Sequence, residues 1–484
     1  MICTSSESVR HLINNFFSTN PFTTTNKKTS CHIMRDSILI LLAKSVRMFA
    51  FGSIATVLFL HLEAIGLSTE QIGFLFGAAL VGDLLITLPL TTHADRWGRK
   101  KVLVISALLK VLAGAFLLTS QNFFILLLAV TIGVISPAGG EIGPFAPVEQ
   151  ASLTQETNEQ PELIAKFYSY YNFVGYFAQA GGALVAGFVV GSSSNKESGY
   201  MTVIFVYSCL GLLLLCMYLL LSKNIEVNIT PPKDEAKETE MMPLKKGEEN
   251  AGVGDETSKK EVVDVESNPK DSQGSSKREE KSGIVKMIGL KSWNSLKVVA
   301  TLSGLFVIDS FAGGLVMQSL IVAWFAKRYE VDPEWLGGML AGMNVLSGLS
   351  SLLVVPIVKR IGPLNTAVFT HIPSNVLLLL VPLMPSATTS LLMILARSSL
   401  SQMDVPARQA FVAISVDPDE RSAAGGITGL IRSLGVVLSS FVWPPMMAAS
   451  STSMMFALPF IISGALKTFY DILLFFCFRG FQKN

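Results

Sequence analysis

EQIGFLFGAALVGDLLITLPLTTHADRWGRKKVL, residues 70–103, joins a long apolar run to a short basic loop. The apolar run, residues 71–92, has about the 20 residues that an α-helix needs to cross ~30 Å of hydrocarbon. The loop contains two arginines and two lysines, and positively charged loops of membrane proteins lie on the cytoplasmic side. The stretch therefore predicts a transmembrane helix that ends at a cytoplasmic loop.

The composition of the whole chain is that of a membrane protein. Apolar residues make up 50% of the 484 residues and charged residues 15%, with a mean hydropathy of +0.49. A soluble domain carries about 25% charged residues, so the composition argues against a soluble enzyme. The formal net charge of +2 provides no basic field of the kind that nucleic-acid binding requires. We therefore expect contact with a lipid bilayer and no nucleic-acid partner.

Apolar runs of similar length recur along the chain. Backbone groups in lipid must form their hydrogen bonds within the segment, so each run is expected to be a helix. We predict an all-α membrane protein with twelve transmembrane helices in two six-helix halves. The runs cover residues 36–62, 71–92, 102–119, 123–148, 162–191, 200–222, 296–326, 335–358, 365–384, 388–405, 423–447 and 454–478.

Polar regions flank and divide these helices. The first polar region, residues 1–35, is predicted to be a disordered tail, with a transit-like targeting signal as the alternative. The central one is rich in Lys, Glu and Ser, which is typical of a disordered linker. Because the basic loops lie on one side of an even number of helices, both termini are expected in the cytoplasm. The predicted organisation is a tail (1–35), an N-terminal bundle (36–222), a cytoplasmic linker (223–292), a C-terminal bundle (293–478) and a second tail (479–484).

The two predicted bundles repeat one another in sequence. Such internal repeats occur in transporters whose halves are related by a pseudo-twofold axis. We interpret the halves as copies of one six-helix unit. The aligned segments are EQIGFLFGA from Glu70 with EWLGGMLAG from Glu334, RWG from Arg96 with RIG from Arg360, PVEQA from Pro147 with PARQA from Pro406, and RMFAFG from Arg47 with DSFAGG from Asp309.

Two kinds of motif link the chain to a known family. HADRWGRKKVL from His93 resembles the motif G-x-x-x-D-R-x-G-R-K between helices 2 and 3 of the major facilitator superfamily, with Thr91 in place of the first Gly. SPAGGEIGPFAPVEQASLTQ from Ser136 and SLSQMDVPARQAF from Ser399 resemble segments of a mostly fungal branch with an SPxGxEIGPF motif. The resemblance covers nearly the whole chain. It implies a central substrate pathway lined by helices 1, 4, 7 and 10.

Several ionisable residues lie within predicted helices. A charge near the bilayer centre costs about 2.5 to 3.5 kcal/mol on insertion scales, so it is expected to have a partner or a function. Arg47 and Asp309 occupy equivalent positions of the repeat, and Glu141 and Arg397 form a second pair of opposite charges. By the resemblance, these four face the pathway as substrate- or proton-linked groups, and structural salt bridges are the alternative. Asp83 is a fifth candidate, either facing the pathway or paired with a neighbour.

Local sequence bears on Glu141 and on a further pair of charges. Glu141 lies among prolines and glycines that should interrupt its helix, and interrupted helices mark binding sites in transporters. A desolvated carboxylate at such a site can carry a proton, although the glycines would equally serve close helix packing. Lys467 and Asp471, four residues apart, are interpreted as an ion pair within one helix.

Small residues at helical spacing predict close contact between the two halves. One set is Ala183, Gly187 and Gly191, and the other is Gly425 and Gly429.

The basic loop is the centre of a predicted cytoplasmic gate. By the resemblance, it closes the inner side of the outward-facing state through contacts with acidic residues, such as Glu149 or those of residues 417–420. Exposed ion pairs contribute only about 0 to 1 kcal/mol each, which suits contacts that break in every cycle. Topology determination is the alternative role of the positive charges. The predicted gate residues are Asp95, Arg96, Gly98, Arg99, Lys100, Glu149 and Arg408.

Together, these features predict a secondary transporter that moves a small organic solute by alternating access, coupled to protons through Glu141 or Asp309. The sequence contains no P-loop motif, no close set of cysteines and no cluster of histidines, so we expect no enzyme activity, metal or cofactor. A non-transporting receptor that signals through the linker is the alternative from another class, and a drug/proton antiporter is the alternative among transporters. We expect a monomer in the plasma membrane or the vacuolar membrane.

Overall fold

The computed structural model describes residues 27–133, 143–156, 161–222, 225–226, 293–416 and 421–480. Within these ranges the regular structure is helical, without β-strands. Helices from both sides of the central segment belong to one compact unit. Most of the predicted tails and linker lies outside the described residues.

Eight α-helices precede the central segment among the residues that the structure describes. Most begin and end within a few residues of the predicted runs, but the predicted helix 123–148 ends early at Ile132, and Gly133 terminates it. A second helix starts at Phe145. The helices are α1 (Lys27–Ala64), α2 (Thr69–Thr92), α3 (Ala94–Trp97), α4 (Arg99–Thr119), α5 (Phe123–Ile132), α6 (Phe145–Glu156), α7 (Pro161–Gly191) and α8 (Lys196–Leu219).

Nine α-helices and a short 3₁₀-helix (Val381–Leu383) follow the central segment in the described part of the chain. Three of the predicted continuous runs are broken into two helices each, at α9/α10, α13/α14 and α15/α16. The last break precedes Pro444 and Pro445, which lack the backbone N–H that a continuing helix requires. The helices are α9 (Trp293–Gly314), α10 (Gln318–Tyr329), α11 (Pro333–Ile361), α12 (Pro363–Leu380), α13 (Ala387–Ser401), α14 (Asp404–Ile414), α15 (Arg421–Ser439), α16 (Pro444–Ala448) and α17 (Met454–Phe478).

The number of membrane crossings follows from these helices. Ten helical stretches of the described residues are long and apolar enough to span a bilayer, and α9 with α10 forms one of them. The shorter helices α5 (10 residues) and α13 (15 residues) occupy the places of the predicted fourth and tenth spans. The fold therefore agrees with the predicted all-α membrane protein of twelve crossings in two six-helix halves.

Local sequence signals explain where several helices begin. The Ser68 hydroxyl accepts a hydrogen bond from the backbone N–H of Gln71, and the Gln71 side-chain oxygen accepts one from the backbone N–H of Ser68, which is a capping box. Gly98 and Gly362, equivalent glycines of the repeat, have φ values of 102° and 81° and precede α4 and α12. Positive φ values of this kind favour glycine. The repeat seen in the sequence thus has the same backbone turn in both halves.

The halves meet most closely where α7 packs on α11. A Cβ atom added to Gly187 would lie 2.7 Å from the carbonyl oxygen of Pro333 and 2.9 Å from the Cα of Gly337. The prediction for Gly187 is therefore confirmed. The prediction for Gly425 and Gly429 is wrong in this conformation, because a Cβ atom at either meets no described atom within 4 Å.

Candidate functional site

A buried ion cluster lies in the N-terminal half. Arg47 of α1 donates two hydrogen bonds to Glu149 of α6, at 2.7 and 2.9 Å. The hydroxyls of Tyr171 and Tyr218 each accept a bond from Arg47 and donate one, 2.6 Å long, to Glu149. All four residues are fully buried. Two opposite charges with this many hydrogen bonds offset the cost of removing both from water.

A second buried ion cluster lies in the C-terminal half. Asp309 of α9 accepts hydrogen bonds from Lys467 of α17 at 2.6 Å, Arg432 of α15 at 3.0 Å and Arg408 of α14 at 3.3 Å. Arg408 also donates to Asp404, at 2.6 Å. Asp309 is 2% exposed. One carboxylate thus joins three helices around it.

The two clusters are related by the repeat, with their charges exchanged. Arg47 aligns with Asp309, and Glu149 aligns with Arg408. An arginine on the first helix of one half therefore pairs with a glutamate, whereas an aspartate on the first helix of the other half pairs with an arginine. Each ion pair forms within its own half.

This arrangement corrects several predictions. Arg47 forms a salt bridge with Glu149, which is the structural alternative, and it does not line the cavity. Glu149 and Arg408 belong to the buried clusters and not to an exposed gate, since they are 0% and 6% exposed. The aligned segments PVEQA and PARQA could have predicted the two clusters. They place Glu149 and Arg408, which have opposite charges, at equivalent positions of the repeat, as Arg47 and Asp309 are placed.

Lys467 and Asp471 do not form the predicted pair within α17. Lys467 contacts Asp309. Asp471 instead lies 2.9 Å from Nδ1 of His371 and accepts a bond of 2.8 Å from Asn375, both on α12. The reason is that the two side chains lie close to different helices, α9 and α12.

A cavity of about 340 Å³ lies between the two halves. Helices α1 and α7 of one half and α9, α10, α11, α13, α15 and α17 of the other supply its lining. Cavities of a few hundred Å³ hold small organic ligands. The first, seventh and tenth spans therefore contribute to it as the resemblance implies, and residues 134–142 of the fourth span lie outside the described residues.

The predicted pathway residues have different positions relative to this cavity. Asp309 and Arg397 line it, whereas Arg47 is buried and is not part of the lining. Asp83 accepts a hydrogen bond of 2.8 Å from Thr87 within α2 and is not part of the lining. Glu141 lies outside the described residues.

Uncharged polar side chains that the sequence did not single out cross the cavity wall. Gln179 of α7 donates to Gln318 of α10 at 3.0 Å, and Gln318 donates to Asn344 of α11 at 3.1 Å. Tyr176 of α7 donates to Gln402, just beyond α13, at 2.9 Å. The bonds from Gln179 and Tyr176 connect the halves, whereas the bond from Gln318 to Asn344 lies within the C-terminal half. Single amides within apolar runs form no periodic pattern, so the sequence did not predict these contacts.

The predicted gate loop contacts the end of α8 and the segment after it. The Glu226 carboxylate accepts bonds from the backbone N–H groups of Arg99 (2.6 Å) and Lys100 (3.2 Å), which begin α4. The Lys100 ammonium donates to the carbonyls of Leu219 and Leu221. Asp95 and Arg96 lie in α3, but their side chains are outside the description. A carboxylate at a helix N-terminus is stabilised by the free N–H groups there.

Metal binding has no support in the described part of the chain. No group of three or more His, Cys, Asp or Glu side chains lies close enough there to hold an ion.

Sequence comparison places the chain among known proteins. The profile described as Major Facilitator Superfamily matches residues 40–440. An uncharacterised membrane protein of Saccharomyces cerevisiae, YJR124C, is 25% identical over 455 residues, which cover 92% of this chain and 94% of the yeast protein.

Solved structures have the same fold at low sequence identity. The partially occluded inward open xylose transporter XylE from E. coli has a TM-score of 0.61 and 14% identity, covering 92% of this chain and 97% of its own. A bacterial homologue of the human lysosomal transporter Spinster has a TM-score of 0.62 and 15% identity, with 93% and 98% covered. The nucleoside transporter NupG has a TM-score of 0.61 and 13% identity, with 93% and 99% covered. This chain is a multi-pass integral membrane protein and belongs to the Major Facilitator Superfamily.

Proposed function

We propose that the protein is a secondary active transporter that moves a small organic solute across its membrane by alternating access, coupled to protons. The cavity between the halves carries this proposal. Residues of both halves line it, charged side chains within the membrane-spanning helices face it, and its volume of about 340 Å³ suits a small metabolite. Charges at this depth are expected to serve a pathway when they face a cavity.

Contacts between the halves support a conformation that is closed on the outer side. By the positive-inside rule, the end of α1 and the end of α10 lie outside, where Lys327 forms an ion pair of 2.6 Å with Glu63. Slightly deeper, Ser319 donates to the carbonyl of Ala55 at 3.2 Å. Lys100 of the cytoplasmic loop bonds within its own half. We therefore assign this conformation to the inward-facing state, from which the outer contacts must separate during the cycle.

Two carboxylates are proposed for proton coupling, Asp309 and Glu141. Asp309 holds three cations together in the described structure, so a proton on its carboxylate would weaken its bonds to Lys467, Arg432 and Arg408 together. A change in one proton would thereby alter contacts among α9, α14, α15 and α17. This is the physical link between protonation and movement that coupling requires.

A solute screen on the full chain in liposomes with an imposed pH gradient tests the function. We expect one class of small solute to accumulate against its gradient, and this accumulation to collapse when a protonophore is added. Accumulation of no solute, with protein shown to be folded and inserted, would contradict the proposal.

Two variants locate the coupling. Asp309→Asn is expected to abolish transport when flux is normalised to the amount of folded, inserted protein. Glu141→Gln is expected to lose proton-driven accumulation and to keep solute exchange. An unchanged pH dependence in Glu141→Gln would remove Glu141 from the proton pathway, and full activity of Asp309→Asn would remove Asp309 from the mechanism.

A further inference from the structure

The charges that line the cavity point to the kind of solute it holds. We propose that the cavity binds a small organic anion, a solute with at least one carboxylate or phosphate group. This inference rests on the proposed function, because it names the solute class of the same cavity.

Positive charge exceeds negative charge in the described lining. Lys44, Arg397, Arg432 and Lys467 line the cavity, and Asp309 is the carboxylate among them. Asp309 is already shared by Lys467 at 2.6 Å and Arg432 at 3.0 Å. Four cations and one carboxylate give the described lining a net positive charge.

Arg397 is the strongest candidate to contact the anion. Its guanidinium forms no hydrogen bond and no ion pair with any residue that the structure describes, and its Nε is buried without a partner there. A guanidinium presents a planar set of donors that matches carboxylate and phosphate oxygens in pairs. Arg397 is half-buried at the cavity surface, and a cation there without a bonded counter-ion is stabilised by an anion that occupies the cavity.

Lys44 supplies a second cation from the other half. It belongs to α1, whereas Arg397 belongs to α13, and its Nζ lies 4.2 Å from the centre of the Tyr171 ring. An anion between Lys44 and Arg397 would contact both halves at once. Gln179 and Gln402 add polar amides to the same lining.

Ligand stabilisation of the full chain, purified in lipid nanodiscs, tests the inference without transport. The probes are mono-, di- and tricarboxylates and sugar phosphates, each beside its uncharged amide or free sugar, at equal ionic strength with potassium chloride. A ligand that binds the folded state raises the unfolding temperature. We expect stabilisation by at least one anion, no stabilisation by its uncharged counterpart, and none by chloride alone.

Variants connect the stabilisation to the cavity. Arg397→Gln is expected to weaken the apparent affinity by about tenfold or more, since a paired charge-assisted contact is lost. Arg397→Lys should retain part of it, and Lys44→Gln should weaken it from the opposite half, which keeps the test decisive if one variant fails to fold. Lys297→Gln removes the same charge from an exposed position of α9 and should change nothing.

The outcomes separate this inference from the proposed function. Stabilisation by no anion, equal stabilisation by uncharged counterparts, stabilisation by chloride alone, or an affinity that is independent of both Arg397 and Lys44 would overturn the inference. Anion binding without any transport would contradict the proposed function alone. Proton-driven transport of an uncharged solute, without anion binding, would support the proposed function and contradict the inference that the cavity binds an anion.

Discussion

At the scale of single residues, the Arg47–Glu149 pair has the properties of a structural element. Both side chains are fully buried, and Tyr171 and Tyr218 occupy further hydrogen-bonding positions of each. The ring of Phe145 lies 4.9 Å from the guanidinium and covers it. Asp309 differs, because it faces the cavity and binds several cations. Equivalent positions of the repeat thus lie in a packed interior in one half and at the cavity in the other.

Removal of Glu149 should strongly destabilise the protein. Glu149→Gln leaves Arg47 buried without its counter-charge, and breaking one partner of a buried pair costs about 3 to 5 kcal/mol. The measurement is thermal unfolding of the purified protein in detergent. Glu197→Gln, on the exposed start of α8, is the control and should shift stability by less than about 0.5 kcal/mol. Equal behaviour of the two variants would show that the pair is not structural.

At the scale of secondary-structure elements, the turn before α4 depends on a glycine. Gly98 has φ 102° and ψ 123°, a conformation that side chains with a Cβ rarely adopt. The Glu226 carboxylate, which caps α4, would also lie 3.0 Å from an added Cβ. Both the backbone and the cap therefore favour glycine at this position of the loop.

Gly98→Ala should destabilise the loop by about 1 to 3 kcal/mol, the usual cost of a strained backbone conformation. Hydrogen exchange of the amides that begin α4 should accelerate, because the cap from Glu226 is displaced. Gly338→Ala is a suitable control, since an added Cβ there meets no described atom within 4 Å and Gly338 lies within α11. Unchanged exchange in Gly98→Ala would contradict this account of the turn.

Two glycine positions should respond differently to a larger side chain. Gly187→Leu inserts a side chain between α7 and α11 and should destabilise the closed outer side, at a cost of about 1 to 3 kcal/mol or more. Gly429→Leu meets open space in this conformation and should leave its stability unchanged. If α15 packs closely on the other half after the halves rock, Gly429→Leu should still lower transport. Distances between spin labels on the outer ends of the two halves report whether the outer side is closed. Equal changes of these distances in both variants would contradict the predicted difference.

At the scale of the whole molecule, the sequence predicted the helices, the repeat and the list of intramembrane charges. Apolar run length gives membrane crossings directly, and α17 has the same bounds as the predicted run 454–478. The partners of the charges could not be predicted, because Arg47 and Glu149 are 102 residues apart and their contact depends on which helices are neighbours. The same limit applies to Lys467, whose spacing to Asp471 suggested a local pair that the packing of α17 on α9 replaces.

Deletion of residues 234–280 distinguishes a transporter from a receptor that uses the linker. Because the cavity lies among the helices, the shortened chain should keep its solute flux within about twofold, a difference of roughly 0.4 kcal/mol in the activation free energy. Flux in liposomes, normalised to inserted protein, is the measurement. Loss of flux with normal insertion and folding would favour a function that requires the linker.

The formation of each ion cluster within a single half has a consequence for biosynthesis. Arg47 finds Glu149, Tyr171 and Tyr218 among residues that the ribosome delivers before the second half exists. The partners of Asp309 follow it in the same half, and they are Arg408, Arg432 and Lys467. Each nascent six-helix unit can therefore pair the charges of its own cluster, so the first half does not depend on synthesis of the second half to neutralise Arg47 and Glu149.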